Sequence, residues 1–166
     1  MALFLSFILS IALAMIIHEL GHLFAAKRCG VPASEFGLGV GPLLFGLPIG
    51  KITFSLRVIP VASFVRLDGT ALIACSVAEQ LFVHLGGIIF NVSIALIAHG
   101  TLFGRINLLL GLANVLPVYK HDGWKCGLVL MRALLGRKSP PVEWAFTFSG
   151  GFASLVFLSM LLRAFI

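Results

Sequence analysis

The chain has 166 residues, 60% hydrophobic and 11% charged, with a net charge of +6. A soluble domain usually has about 25% charged residues, so a chain this apolar cannot cover itself for water, and the bilayer is its natural solvent. The basic residues come without an aromatic or glycine-rich RNA module, which argues against nucleic acid. Cys29, Cys75 and Cys126 form neither a CxxC pair nor a disulfide framework.

A membrane helix needs roughly 20 apolar residues. Four apolar blocks therefore predict an all-α polytopic membrane protein of about four transmembrane helices in a single domain, residues 1–166. The first block, 2–26, has no basic n-region and no Ala-x-Ala site before His18, and reads as a retained span rather than a signal peptide. Residues 31–48 are rich in Gly and Pro. In 51–58, Ile52, Phe54, Leu56 and Val58 alternate with Lys51, Thr53, Ser55 and Arg57, the period of a strand with one wet face. Pro60 breaks or edges that strand, and 63–67 is expected to return as its partner, giving a small membrane-associated β-hairpin over about 51–67. The second block, 80–98, carries Gly86, Gly87 and Asn91. The third, 106–135, is interrupted near 117–125, and the last covers 142–163.

Eight of the twelve basic residues fall on one side of this arrangement: Lys27, Arg28, Lys51, Arg57, Arg66, Arg132, Arg137 and Lys138. Positive-inside weighting puts that side in the cytoplasm and both termini outside. The expected location is a multi-pass bacterial cell membrane protein with its site toward the cytoplasm.

Residues 18–22, His-Glu-Leu-Gly-His, form an HExxH motif. Spacing of four sets both imidazoles on one helix face, so that His18 and His22 can ligate one metal. Glu19, beside the first ligand, is placed to act as general base on a metal-activated water. The setting strengthens the motif. Ionisable groups at bilayer depth cost roughly 2.5–3.5 kcal/mol each, and a bound cation offsets that cost; a buried His–Glu pair against another helix is the plain alternative. A catalytic zinc site wants three protein ligands. Asp122 is the one carboxylate inside an apolar block, flanked by Pro117 and Gly123, which let a span unwind. It is the candidate third ligand, and its alternative is an ion pair with Lys120 or Lys125 at the membrane surface.

HExxH in a first span and NxxPxxxxDG in a later one, residues 114–123, resemble the site-2 protease family of intramembrane zinc metalloproteases (peptidase family M50). Residues 87–91 resemble its GxxxN motif, and 36–42 with 52–67 resemble its glycine-rich stretch and β-hairpin. The resemblance implies one Zn2+ per chain held by His18, His22 and Asp122, and Glu19 as the catalytic base. It also implies that Asn91 and Asn114 orient substrate backbone or support the transition state. The hairpin would present a membrane-embedded protein substrate as an extended strand, since a helical substrate hides its scissile carbonyls. The partners expected are that substrate, the lipid bilayer and a regulatory protein. Three positions depart from the pattern: Ala62-Ser63 where the family has Gly-Gly, His121 for an apolar residue before the third ligand, and Lys120 beside it. His121 is left as an outer partner of the site, a competing ligand, or a residue facing water. A catalytically silent binder of membrane partners and a membrane metal transporter are the alternative functions.

Overall fold

The structure is a computed structural model. It describes residues 1–136 and 139–165, without the side chains of residues 2, 60, 61, 158, 161, 162, 164 and 165; Arg137 and Lys138, used in the charge argument, lie outside it. The chain divides into two compact units, Met1–Leu112 and Ala113–Ile166.

The first unit opens with α1 (Ala2–Arg28), an unbroken apolar helix. Two strands follow, β1 (Ala33–Ile49) and β2 (Ile52–Leu67). A short helix, α2 (Gly69–Ala74), is capped by Asp68, whose carboxylate accepts from the amides of Thr70 and Ala71. The next helix, α3 (Val77–Ile97), starts at a capping box in which Ser76 and Glu79 satisfy each other's backbone amides. The following helix, α4 (Leu102–Val115), runs into the second unit. A core of Ala25, Ala26, Val31, Leu72 and Val83 ties the end of α1 to α2 and α3.

The helices α1 and α3 approach closely because glycines face each other. A Cβ on Gly21 would collide with the carbonyl oxygen of Gly86, and one on Gly86 would meet the Gly21 backbone and the Ala25 side chain. Small residues at such a seam allow dispersion contacts that lipid-facing leucines cannot make.

The second unit holds α5 (Asp122–Leu135) and α6 (Pro140–Phe165). They are joined by a bidentate Arg132–Glu143 ion pair, both contacts at 2.8 Å, and by Trp124 stacked on Phe146. Lys120 turns the chain before α5 with φ +71°, a conformation unusual for a side chain with a Cβ.

Two expectations are corrected. The architecture is not a four-span all-α protein with a small hairpin. Among the described residues only Leu3–Arg28 and Val77–Ile97 are helices long and apolar enough to cross a membrane. The third block is two helices of 14 residues, α4 and α5, with residues 116–121 between them; each is about 21 Å long, short of a hydrocarbon core of about 30 Å. The sheet is also larger than expected and is paired differently. Residues 52–57 run antiparallel to 43–49 across the turn at Gly50-Lys51, whereas 63–67 pairs with 33–38, from Ala33↔Leu67 to Leu38↔Ser63. Glu35 to Leu38 are flanked by Thr53 to Leu56 as well. The Gly- and Pro-rich stretch is thus strand. Gly39, at φ +99° and against the carbonyls of Arg57 and Ile59, lets β1 bend between its two sets of partners, where a Cβ would not fit.

Candidate metal centre

The site is built first from α1. His18 and His22 lie one turn apart on the buried face of the helix, their rings edge-on with centroids 4.8 Å apart. Each ring is fixed from α3. His18 Nδ1 lies 3.0 Å from Oδ1 of Asn91, and His22 Nδ1 lies 2.8 Å from the carbonyl oxygen of Val83. A carbonyl oxygen only accepts, so both Nδ1 atoms donate. In the neutral rings the Nε2 atoms then carry the lone pairs, and they converge 3.2 Å apart. Two lone pairs at that distance repel unless a cation or a proton lies beside both. This is the electronic arrangement that a metal needs, with the far ring nitrogen of each ligand held by an acceptor.

The backbone of α3 leaves room beside these nitrogens. A Cβ on Gly87 would lie 2.6 Å from His22 Nε2 and 2.7 Å from His18 Nε2. The glycine before GxxxN's three apolar positions is therefore a space for the ligand edges, in addition to a packing contact.

Glu19 is half-buried, and Ser63 of β2 reaches toward it. The Ser63 hydroxyl donates to the Met15 carbonyl at 3.1 Å and lies 3.5 Å from Glu19 Oε1. A position that departs from the family's Gly-Gly thus supplies a hydroxyl to the candidate base.

Asn91 is fully buried, at 0% exposure. Its amide hydrogens go to the Ala14 carbonyl at 3.3 Å and to Oδ1 of Asn107 at 3.2 Å. Asn107, also 0% exposed, donates to the Phe103 carbonyl at 2.9 Å. Asn107 was not among the candidates read from the sequence: like Asn91 it is an amide inside an otherwise apolar block, but it lies in no motif.

In the second unit, Asp122 is the first residue of α5 and is 2% exposed. Its carboxylate accepts from Lys125 Nζ at 2.9 Å, the ion pair anticipated as the alternative to metal ligation. Asn114 is half-buried in the last turn of α4. His121 is the residue before α5, and its Nδ1 donates to the Ala113 carbonyl at 2.9 Å. That carbonyl belongs to the last turn of α4, where the next helical amides are missing, so His121 closes the end of one helix while beginning the next.

Another charged cluster lies in the sheet. Glu35 accepts from the Ser55 hydroxyl at 2.6 Å and from Arg57 at 2.8 Å, with Arg66 at 3.3 Å. The Ser55 hydrogen bond, then Arg57 and Arg66, hold the Glu35 carboxyl below its ordinary range against the opposing effect of burial. Arg57 Nη1 also donates to the Gly41 carbonyl at 3.0 Å, which ties down the bend in β1.

An HExxH turn on an apolar helix, with both ligands oriented by a second apolar helix, defines the class of helix-borne metallopeptidase sites. The model of peptidase family M50 matches residues 6–104, and the chain belongs to that family. The match takes in His18, Glu19, His22 and Asn91 and ends before Asn114 and Asp122. The zinc metalloprotease RasP of Geobacillus kaustophilus (strain HTA426) is 38% identical over 65 residues, 39% of this chain and 15% of that protein. A Staphylococcus aureus (strain N315) protein named among the zinc metalloproteases is 34% identical over 68 residues, 41% of this chain and 16% of that protein. The matched stretch is about a sixth of the length of these curated relatives. Zinc is the metal their names imply, and the donor set on α1 fits it.

Proposed function

We propose that this chain carries the core of an intramembrane zinc metalloprotease that hydrolyses peptide bonds in membrane-embedded protein substrates. The observation that carries the reading is the pair of Nε2 atoms 3.2 Å apart, with both Nδ1 atoms held by acceptors on α3. His18 and His22 are two ligands in this reading, and Asp122 is the third on the strength of its sequence context. Zinc, when bound, supplies the Lewis acidity that makes water a nucleophile near neutral pH.

Glu19 takes a proton from the attacking water and passes it to the departing amide nitrogen, so that the cleaved bond leaves as a neutral amine. Ser63 Oγ lies 3.5 Å from one oxygen of that carboxylate. Asn114 is assigned to the substrate side, where an amide can hold backbone freed from a helix. The exposed apolar side chains of the β1/β2 turn region, among them Leu43, Leu44, Phe45, Leu47 and Ile49, suit contact with lipid. The bilayer is accordingly one partner, the substrate another, and a regulatory protein that controls access a third. The site is assigned to the cytoplasmic side of a bacterial cell membrane.

The test is Glu19→Gln on the solubilised chain, with zinc content and cleavage of a membrane-spanning substrate measured together. Cleavage is expected to fall by 10²-fold or more, the scale of a lost general base, while zinc stays bound. Unchanged turnover sinks the mechanism. Chelation of the metal is expected to stop wild-type cleavage, and added zinc to restore it.

A further inference from the structure

Beyond the ligands and the base, a buried chain of amides runs away from the site and ends on α4. Its polarity is set from its far end. The Phe103 carbonyl can only accept, so the Asn107 group 2.9 Å from it is Nδ2, and Oδ1 of Asn107 must face the other way. That oxygen accepts from Asn91 Nδ2 at 3.2 Å. The Ala14 carbonyl, at 3.3 Å, requires a donor from the same amide nitrogen. Both Asn91 hydrogens are therefore engaged, and its Oδ1 is left facing His18 Nδ1 at 3.0 Å. Every step has one direction, and reversal of either amide would bring oxygen against oxygen.

We propose that Asn107 is a positioning residue for the metal site. Acting through Asn91, it locks His18 in the tautomer whose Nε2 lone pair faces the metal. The inference rests on the proposed zinc-binding reading and extends it to Asn107, the sixth residue of α4, outside every motif. It also gives Asn91 a different task from contact with substrate, because both its amide hydrogens are taken up inside the protein. The two imidazoles differ in consequence. His22 is held by a main-chain carbonyl that no substitution removes, whereas His18 depends on two side chains.

Without Asn107, the Asn91 amide nitrogen keeps only the longer contact to Ala14, and its orientation is held less firmly. His18 then loses its acceptor for part of the time. Outer partners of metal-bound histidines are worth 10- to 100-fold in metal affinity, and a residue one step further out is expected toward the lower end of that range.

The experiment compares the wild-type chain with Asn107→Leu and Asn107→Ser in detergent. Zinc affinity is measured by chelator competition, the absorption spectrum is recorded with Co2+ in place of zinc, and thermal unfolding is followed without metal. Either truncation is expected to weaken zinc about tenfold and to shift the cobalt bands. Affinity and cobalt spectrum unchanged in a folded truncation would overturn the proposal, even with wild-type zinc binding intact. If Asn107→Leu does not fold, Asn107→Ser decides. A wild-type chain that binds neither zinc nor Co2+ is a different failure, and removes the metalloprotease reading together with the relay.

Discussion

The α1–α3 seam and the β1/β2 sheet are held together on different terms. In the seam, glycine backbones touch and two imidazoles, two asparagines and the carbonyls of Ala14, Val83 and Phe103 form a buried network. In the sheet, long strands bend and exchange partners around one carboxylate shared by a serine and two arginines. The seam tolerates almost no added volume. The sheet tolerates added volume at its exposed positions but depends on the charge of Glu35. Close packing and electrostatic pinning are thus segregated, and perturbing one should leave the other intact.

Gly87→Ala is the strongest way to break the seam alone. The new methyl would sit 2.6 Å from His22 Nε2 and His18 Cε1, and relief of such overpacking costs about 1–3 kcal/mol. Zinc affinity is expected to fall about 10- to 100-fold while amide hydrogen exchange in 33–67 stays unchanged. Loss of protection in the sheet would show that the two regions are not independent.

Glu35 tests the converse. Its folded-state carboxyl lies below the ordinary range, so its contribution to stability is fully present above the unfolded value of about 4.3. It is lost as pH falls through the lower folded value. The effect is expected to be ~1 kcal/mol, read as earlier exchange of sheet amides below about pH 4. Glu35→Gln should remove this pH dependence and loosen the sheet at neutral pH, with zinc affinity unaltered. A sheet equally protected in the variant at pH 7 would refute the pinning role.

The smallest effect is expected at Ser63, where sheet and α1 meet. Ser63→Ala removes a hydroxyl near Glu19 and is expected to lower kcat about threefold, the worth of one ordinary hydrogen bond or less, with KM unchanged. Ser63→Thr should restore most of the loss. A change confined to KM would assign Ser63 to substrate contact instead.

The seam was largely legible in the sequence and the sheet was not, for a reason of range. His18, Glu19 and His22 share one helical turn, so spacing alone sets their common face. Gly86, Gly87 and Asn91 in the 80–98 block resemble the family's GxxxN motif, which implies only that Asn91 belongs to the site. Strand pairing has no such local rule: the alternation in 51–58 marked a strand, but its partner depended on a bend at Gly39 that composition presented as loop. Span counting failed at 106–135 because the interruption near 117–125, visible in the sequence, reads as a break within one span, whereas the Lys120 turn and the His121 cap make it a boundary between two helices. Asn107 escaped notice because its partner lies sixteen residues away on another helix.

Both acceptors that fix the histidines, Asn91 and the Val83 carbonyl, belong to α3. The ligands on α1 therefore have no settled tautomer until α3 has docked. An isolated α1 in a bilayer would hold the same two imidazoles, yet each would exchange its proton between nitrogens and offer the metal a lone pair only part of the time. In the proposed zinc-binding reading, metal capture would thereby be coupled to assembly, the affinity rising when the two glycine faces meet. In that reading the chain would load late, after its helices have found one another, so the bound metal would mark a finished fold.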